Sequence, residues 1–517
     1  MSSQNFKRTF ILGVVSSYGT NVVSMVVGLI SVPIGLHYFG SIRYGIWAVI
    51  SSIIAYLSIS NLGIDTGAAV LIATAREPYE QWAVLRRSLF LLLISIIVVL
   101  SVILSIAYFY PNWIIALGKI PLTFHDEASK TMIVIAVLFL ANLPFTVFFA
   151  GFTGLQKVYW KQFYMSLMRI IELLALILTI LIKGNLISLA LFRGMGILLI
   201  SIVCASHFLL SHKELLEKVN KPIRDEFSVS SIFSSSLRFF SIGIAAMVVW
   251  NTDNLVISHF LGAEAVTSYA ITFKLLVITF SVFEAINSAI FPMYGKAAAF
   301  NQWEWVQKIY SRTTCLFPII GGLIWIGAIA FAKDIIIFWT GGLEGYGGRL
   351  VIFALGGYGY LVSIVSANSN LIKGINAVKN TVFIGWLEAA ANFIISIILV
   401  RVLGIGGVAL GTFLGSLLTV SWMIPLAIYI KTKKRIKFNF RPVLFHTFAI
   451  VFPFLISVIL IDFFWKEEIS KIFINIIIIS IYLKLSWQVI SPDLRNLFKS
   501  TIAEIYTRIK NLRVFKT

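Results

Sequence analysis

Charge is what this chain has least of. Of its 517 residues only 12% are Asp, Glu, Lys or Arg, while 59% are hydrophobic; a typical soluble domain carries about 25% charged residues. Too little polar surface is left to cover a water-facing globule, which excludes a soluble enzyme and a disordered chain alike. Acidic residues are scarcer still, 22 against 42 basic ones, for a formal charge of +20. In a soluble protein that excess would point to nucleic acid. Here apolar runs of membrane-spanning length recur along the chain, so the partner is the bilayer and no nucleic acid is expected.

Cysteine is nearly absent. Cys204 and Cys315 lie in apolar stretches without paired spacing, which excludes a disulfide framework, a zinc site or a redox motif and leaves two small buried hydrophobes. The six histidines are scattered. There is no GxxxxGK[ST] loop, no HExxH and no GxSxG, so neither ATP-driven pumping nor hydrolysis has a motif to stand on. No enzyme activity, catalytic residue, cofactor or bound metal is expected. Lys7 and Arg8 precede an apolar run over 11–32 that is too long for a signal-peptide core and lacks an A-x-A site, so it reads as an uncleaved first helix.

What is present is a succession of apolar runs. The hydrocarbon core is about 30 Å thick and asks for about 20 apolar residues per crossing. Runs near 11–32, 45–72, 88–109, 131–151, 165–182, 187–210, 236–258, 268–292, 313–332, 350–371, 381–400, 408–430, 443–465 and 472–490 predict an all-α polytopic membrane protein of 14 transmembrane helices. An even count puts both termini on one side, and the short connections leave no room for a soluble catalytic domain. Lys and Arg concentrate in KTKKRIKFNFR (431–441) and in the tail over 484–516. That bias places both termini in the cytoplasm. The +20 is therefore topological, a surface that also attracts anionic lipid heads.

A repeat runs through the chain at one nearly constant offset. HYFGSIRYGIW (37–47) answers HFLGAEAVTSYAI (259–271), with Gly40 and Gly262 in register. GLQK (154–157) answers GINA (374–377), and KGNLISLAL (183–191) answers LGIGGVALG (403–411). A repeat of six helices keeps its orientation, so the halves should be related by an axis along the membrane normal. The expected organisation is a six-helix lobe over 1–212, a cytoplasmic linker over 213–235, a second six-helix lobe over 236–430, a helix pair over 431–490 and a basic tail over 491–517. Two such lobes suggest alternating access to a cleft between them. No selectivity-filter run or ring-forming acidic repeat speaks for a channel.

Nine ionisable residues fall within the spans: Asp65, Arg169, Glu172, Arg193, Arg238, Asp253, Lys274, Glu284 and Glu388. Each costs about 2.5–3.5 kcal/mol at the bilayer centre on insertion scales, so each needs a partner, a wet cavity or the interface. Arg169 and Glu172, three apart on one helix face, read as a structural pair, and Glu388 as a helix–helix hydrogen-bonding group. Asp253 and Lys274, on consecutive helices at similar depth, are expected to pair. Arg238, Lys274 and Arg193 offer cations at different depths for a phosphate or pyrophosphate. Asp65, flanked by Gly63 and Gly67, is a candidate proton or cation site against the reading of a buried hydrogen-bonded acid. Asp253 and Glu284 share that candidacy. Arg43 could line the cavity mouth, although a solvated loop charge explains it as well. Trp250, beside Asn251 and Asp253, is the aromatic best placed to stack on a sugar.

The segments LHYFGSIRYGIWAVISSIIAYLSISNLGIDTGAAV (36–70), WNTDNLVISHFLGAEAVTSYAITFKL (250–275), FPMYGKAAA (291–299) and LIKGINAVKNTVFIGWLEAAANFIISIILVRVLGIGGVALGTFLGS (371–416) resemble bacterial polysaccharide exporters and O-antigen flippases. These belong to the superfamily that also holds the multidrug MATE antiporters and the lipid II flippases. The resemblance covers roughly residues 5–490. It implies two six-helix lobes and transfer of an undecaprenyl-pyrophosphate-linked oligosaccharide from the cytoplasmic to the periplasmic leaflet of the inner membrane. It also implies coupling to a proton or sodium gradient, with Asp253 and Lys274 at matching positions and Arg238 and Asp65 carried with them. A polysaccharide polymerase and a chain-length regulator are the partners it brings. A drug/cation antiporter of the same fold and a non-transporting scaffold for glycan assembly are the alternatives.

Overall fold

A computed structural model describes residues 3–75, 77–109, 118–216, 224–375, 381–438, 440–465, 468–489 and 495. Among these residues all regular structure is helical. Eleven helical runs among them are long and apolar enough to cross a membrane, and the chain is a multi-pass membrane protein. The helices are α1 (Ser3–Leu57), α2 (Ile64–Thr74), α3 (Pro78–Phe109), α4 (His125–Asn142), α5 (Thr146–Gly154), α6 (Val158–Leu181), α7 (Leu186–Ser211) and α8 (Val229–Leu261). They continue as α9 (Ala263–Ala299), α10 (Trp303–Thr340), α11 (Arg349–Gly374), α12 (Val382–Leu418), α13 (Val420–Lys431), α14 (Phe440–Phe445), α15 (Phe452–Phe464) and α16 (Glu468–Val489).

Glycine sets the breaks. α1 bends at Gly40 (φ 73°, ψ 170°) and α12 at Gly404 (φ 57°, ψ −139°), backbone that glycine enters without the steric cost other residues meet. At 1.5 Å per residue the 47-residue run Val15–Asn61 and the 50-residue run Val382–Lys431 are each about 70 Å of helix, twice a hydrocarbon core. Past its bend α12 folds back on itself. Gly407, Gly411 and Gly415, four residues apart on one face, lie against Leu399, Ser396 and Asn392 so closely that a β-carbon at any of them would collide with that backbone or side chain. This is the small-residue stripe that lets helices meet in a membrane. Gly262, the counterpart of Gly40 in the repeat, has nearly the same conformation (φ 98°, ψ 166°). Gly154 and Gly374 each end a helix, and in both the next residue's N–H returns to the carbonyl four residues earlier.

The described chain forms two compact units. The first takes Met1–Ile278, Ile336–Gly347 and Gly385–Gly415. One of its cores gathers Ile64, Ile72, Val84, Leu92, Phe152 and Phe208 from α2, α3, α5 and α7. A second joins Ile46, Ile50, Met132, Leu176, Leu189 and Ala263. Asn185 caps α7 by accepting from the N–H groups of Ile187 (3.1 Å) and Ser188 (3.3 Å), satisfying donors the helix start leaves open. Ser228 caps α8 through Ser231 N–H at 3.2 Å. Just before that cap, Arg224 grips Glu80 at 2.7 and 2.8 Å while Arg87 donates to the carbonyl of Phe227 at 2.6 Å. The hydrogen bond to Glu80 pushes the Arg224 guanidinium above its ordinary value.

The second unit takes Thr279–Ile335, Gly348–Ile384 and Ser416–Thr517. Its core packs Tyr294, Tyr310, Leu371, Ile424 and Ile436, and Tyr310 donates to Asn368. Pro318 lies inside α10 and Pro425 inside α13; a π-helical turn over His446–Val451 interrupts the run from α14 to α15.

Candidate functional site

α8 and the start of α9 pack on α1 and α2 at two points of near contact. Gly45 lies against the backbone of Ala263, with Thr267 Oγ1 donating to the carbonyl of Ser41 at 2.5 Å. Gly63 and Gly67 lie against Ser236. A methyl group at Gly45, Gly63 or Gly67 would not fit. The two glycines flanking Asp65 thus bring helices close, as their size suggested.

A cavity of about 440 Å³ opens inside this unit. Its polar wall is made by Glu172 and Arg193, by Ser51, Ser52, Asn251 and Asn254, and by Asp253 and Lys274. Trp47, Trp250, Tyr44, Tyr269 and Phe273 add aromatic faces. Trp250 is 39% exposed and sits edge-on to Phe273 with ring centres 5.9 Å apart.

Three charges form one cluster. Glu172 accepts from Arg169 Nη1 at 3.0 Å and from Arg193 Nε and Nη2 at 3.1 and 2.6 Å. The Arg169–Glu172 pair is the one expected from their spacing; Arg193, from α7, joins it. The Arg193 guanidinium also lies 5.7 Å from the centre of the Trp47 ring, where a cation is attracted by the π face. Lys274 lines the same cavity as Glu172 and Arg193. Its Cε would lie 3.3 Å from a β-carbon at position 28, where the chain has Gly28.

The expected Asp253–Lys274 ion pair is not made. Asp253 is 4% exposed, and its Oδ2 accepts from the Tyr269 hydroxyl and from Thr412 Oγ1, the latter at 2.8 Å. Asn392 donates to Thr412 at 3.1 Å, and Ser396 to the carbonyl of Val408 at 3.3 Å. Asp253 Oδ1 is buried without a hydrogen-bond partner among the described residues. Similar depth on consecutive helices did not decide the pairing, because Asp253 turns toward α12 and Lys274 toward α1. Thr412, Asn392 and Ser396 went unnoticed in the sequence: they are uncharged, and only the glycine stripe Gly407, Gly411 and Gly415 hints that their helix halves meet.

The other expected site residues lie elsewhere. Arg43 bonds Glu127 at 3.0 and 3.1 Å, with its guanidinium 5.0 Å from the Phe124 ring centre. Glu127 also accepts from Leu186 N–H, so Arg43 ties α1 to the starts of α4 and α7 and does not line the cavity. Asp65 sits in the first turn of α2, past the left-handed Leu62 and Gly63, and accepts from Thr66 N–H at 2.7 Å. A carboxylate there favours the helix dipole; it does not line the cavity. Glu284 is exposed and belongs to the second unit. The side chain of Arg238 lies outside the described residues. Cys204 is buried and Cys315 half-buried.

The model of the polysaccharide biosynthesis protein family matches residues 11–298, more than half of the chain. The chain belongs to this family. Two relatives assigned as O-antigen transporters extend the likeness across 81% of this chain and 96% of theirs. One, from Salmonella typhimurium, is 23% identical over 441 residues; the other, from Salmonella typhi, is 22% identical. Among solved structures, the lipid II flippase MurJ in an inward closed conformation aligns with a TM-score of 0.70 at 16% identity, covering 92% of this chain and 99% of that one. An inward-facing multidrug resistance MATE transporter of the MOP superfamily aligns at 0.59 and 16% identity, over 80% of this chain and 96% of that one. This family member therefore shares the fold of both solved structures.

Proposed function

We propose that this polysaccharide biosynthesis family member is a flippase that moves an undecaprenyl-pyrophosphate-linked oligosaccharide, an O-antigen-type unit, from the cytoplasmic to the periplasmic leaflet of the bacterial inner membrane. The observation that carries the proposal is the composition of the cavity. The cavity sets Lys274, Arg193 and, behind it, Arg169 against two carboxylates, Glu172 and Asp253. Its lining also offers Trp47, Trp250, Asn251 and Asn254. Excess cation suits a pyrophosphate, and aromatic faces beside amides suit a sugar. Lys274 forms no ion pair among the described residues and keeps three donors for the headgroup. Arg238 is assigned to the same anionic group as it enters.

Asp253 is assigned to ion coupling. A buried carboxylate with one free oxygen, beside Tyr269, Thr412 and Asn392, is a place for a proton or a sodium ion. Binding there alters the charge of a wall the substrate shares. Fourteen crossings follow if α1 and α12–α13 each cross twice and α8 once, which supports two parallel six-helix lobes, 1–212 and 236–430, with helices 13–14 appended and both termini cytoplasmic. The matched conformations of Gly40 and Gly262 support the repeat. The contact units cut across these lobes, so the repeat is one of chain segments and local geometry. Alternating access then passes the sugar through the cavity without covalent chemistry.

Arg193→Gln and Lys274→Gln in a host lacking the chromosomal copy test the reading. Surface glycan should be lost and lipid-linked intermediate should accumulate, with the protein still inserted. Normal glycan with altered drug tolerance would instead make the chain a drug antiporter. Export that survives both substitutions would leave only a scaffold role.

A further inference from the structure

The charged cluster has a second side. Beyond Arg169, Glu172 and Arg193 lies another cavity of about 290 Å³, open on one side and lined by α4, α6 and α7 with Ile54 of α1. Glu172 and Arg193 line both cavities, so the cluster is a partition between them. The two chambers differ in chemistry. The larger is walled by amides, hydroxyls and aromatic rings; the smaller by Ile54, Ile135, Leu138, Phe139, Met165 and Met168, with the cluster and Asn142 at its polar edge. Methionine conforms to irregular apolar guests.

The partition has donors to spare. A guanidinium carries five N–H donors. Arg193 directs Nε and Nη2 to Glu172 and Arg169 directs Nη1, which leaves Nη1 of Arg193 and Nε and Nη2 of Arg169 unbonded among the described residues. Two cations against one carboxylate also leave the cluster at +1. An amphiphile whose anionic group sits between a polar and an apolar part fits this order of chambers: polar, cationic, apolar.

We propose that the smaller cavity seats the first isoprene units of the substrate's polyprenyl chain, with the diphosphate on the free guanidinium hydrogens of Arg169 and Arg193 and the sugar in the larger cavity. This rests on the flippase reading and adds to it a tail seat inside the α4–α6–α7 bundle. At about 30 Å³ per water the chamber holds roughly ten water volumes, room for the start of a chain and not for its whole length. The remainder must leave between helices.

The test uses the full-length chain in detergent with farnesyl diphosphate carrying a diazirine on its last isoprene unit. Labelling is expected on peptides over 135–142 and 165–172, competed by unlabelled farnesyl diphosphate far better than by inorganic diphosphate or farnesol. Met168→Trp, which fills the chamber, should lower that labelling at least tenfold, whereas Met168→Leu, close in volume, should keep it. Equal elution on size-exclusion identifies folded variants. Saturable binding with the label elsewhere, or labelling that survives Met168→Trp, overturns the tail seat and leaves the flippase reading standing. No saturable binding anywhere overturns both.

Discussion

Lys274 and Glu172 share a cavity wall but should answer opposite questions when removed. Lys274→Gln deletes a cation that has no ion-pair partner among the described residues, so nothing in the resting protein is orphaned. Its effect on stability should stay within about 0.5 kcal/mol, as for substitutions outside a buried network. Its effect on ligand should be large. One hydrogen bond to a charged group contributes about 1.5–3 kcal/mol, and about 1.4 kcal/mol is tenfold in affinity, so a diphosphate lipid should bind about 10- to 150-fold more weakly. Glu172→Gln does the reverse. It removes the negative charge behind three hydrogen bonds, replaces one of the two accepting oxygens with a donor and sets two guanidinium groups side by side without a counter-charge. A fully buried pair broken in this way costs about 3–5 kcal/mol. Because Arg169 is 45% and Arg193 28% exposed, solvent screening brings the figure to about 1–2 kcal/mol. Freed of Glu172, both arginines should hold the anion at least as well as before. Farnesyl diphosphate titration by microscale thermophoresis, with thermal unfolding of the same samples, separates the two effects. A melting temperature lowered as much by Lys274→Gln as by Glu172→Gln, with affinity at the wild-type value, would refute these roles.

Other outcomes follow from the same geometry. Asp253→Asn keeps the shape of a side chain held by Tyr269 and Thr412, so the protein should remain folded in detergent while glycan export loses its dependence on the ion gradient; unchanged gradient dependence would remove Asp253 from coupling. Gly45→Val should destabilise the described state by several kcal/mol, because the β-carbon meets the Ala263 carbonyl, and cysteine accessibility at Ser41 should rise; equal accessibility contradicts this. Arg43→Ala should cost about 1 kcal/mol of thermal stability through the Glu127 bonds and leave diphosphate affinity within twofold, whereas a tenfold loss of affinity would return Arg43 to the substrate path.

Much of the fold was legible because membrane insertion writes itself in composition. Apolar runs announce crossings, and Gly40 and Gly262, in register in the sequence, do take matching conformations. The site was legible only where partners are close in sequence. Arg169 and Glu172 sit three apart on one helix and could be paired by counting. Arg193 reaches Glu172 from across a hairpin, on the next helix, and nothing in its own neighbourhood points to that partner. Asp253 and Lys274 were matched by depth, but depth carries no information about direction around a helix axis. Thr412 reaches Asp253 from far along the chain, and that contact depends on the fold-back of α12 at Gly404. Arg43 and Asp65 had the chemistry of a site, yet Arg43 bonds Glu127 from another helix and Asp65 its neighbour Thr66, and neither lines the cavity.

This chain alone should transfer a diphosphate-linked glycan across a bilayer. Purified protein in liposomes, loaded with a polyprenyl diphosphate oligosaccharide whose terminal sugar is fluorescent, reports leaflet transfer as loss of protection from a membrane-impermeant quencher. Transfer should scale with protein and fall at least tenfold in the Arg193→Gln, Lys274→Gln double variant. Transfer at the rate of protein-free liposomes, or at equal rates in the wild type and the double variant, would contradict this.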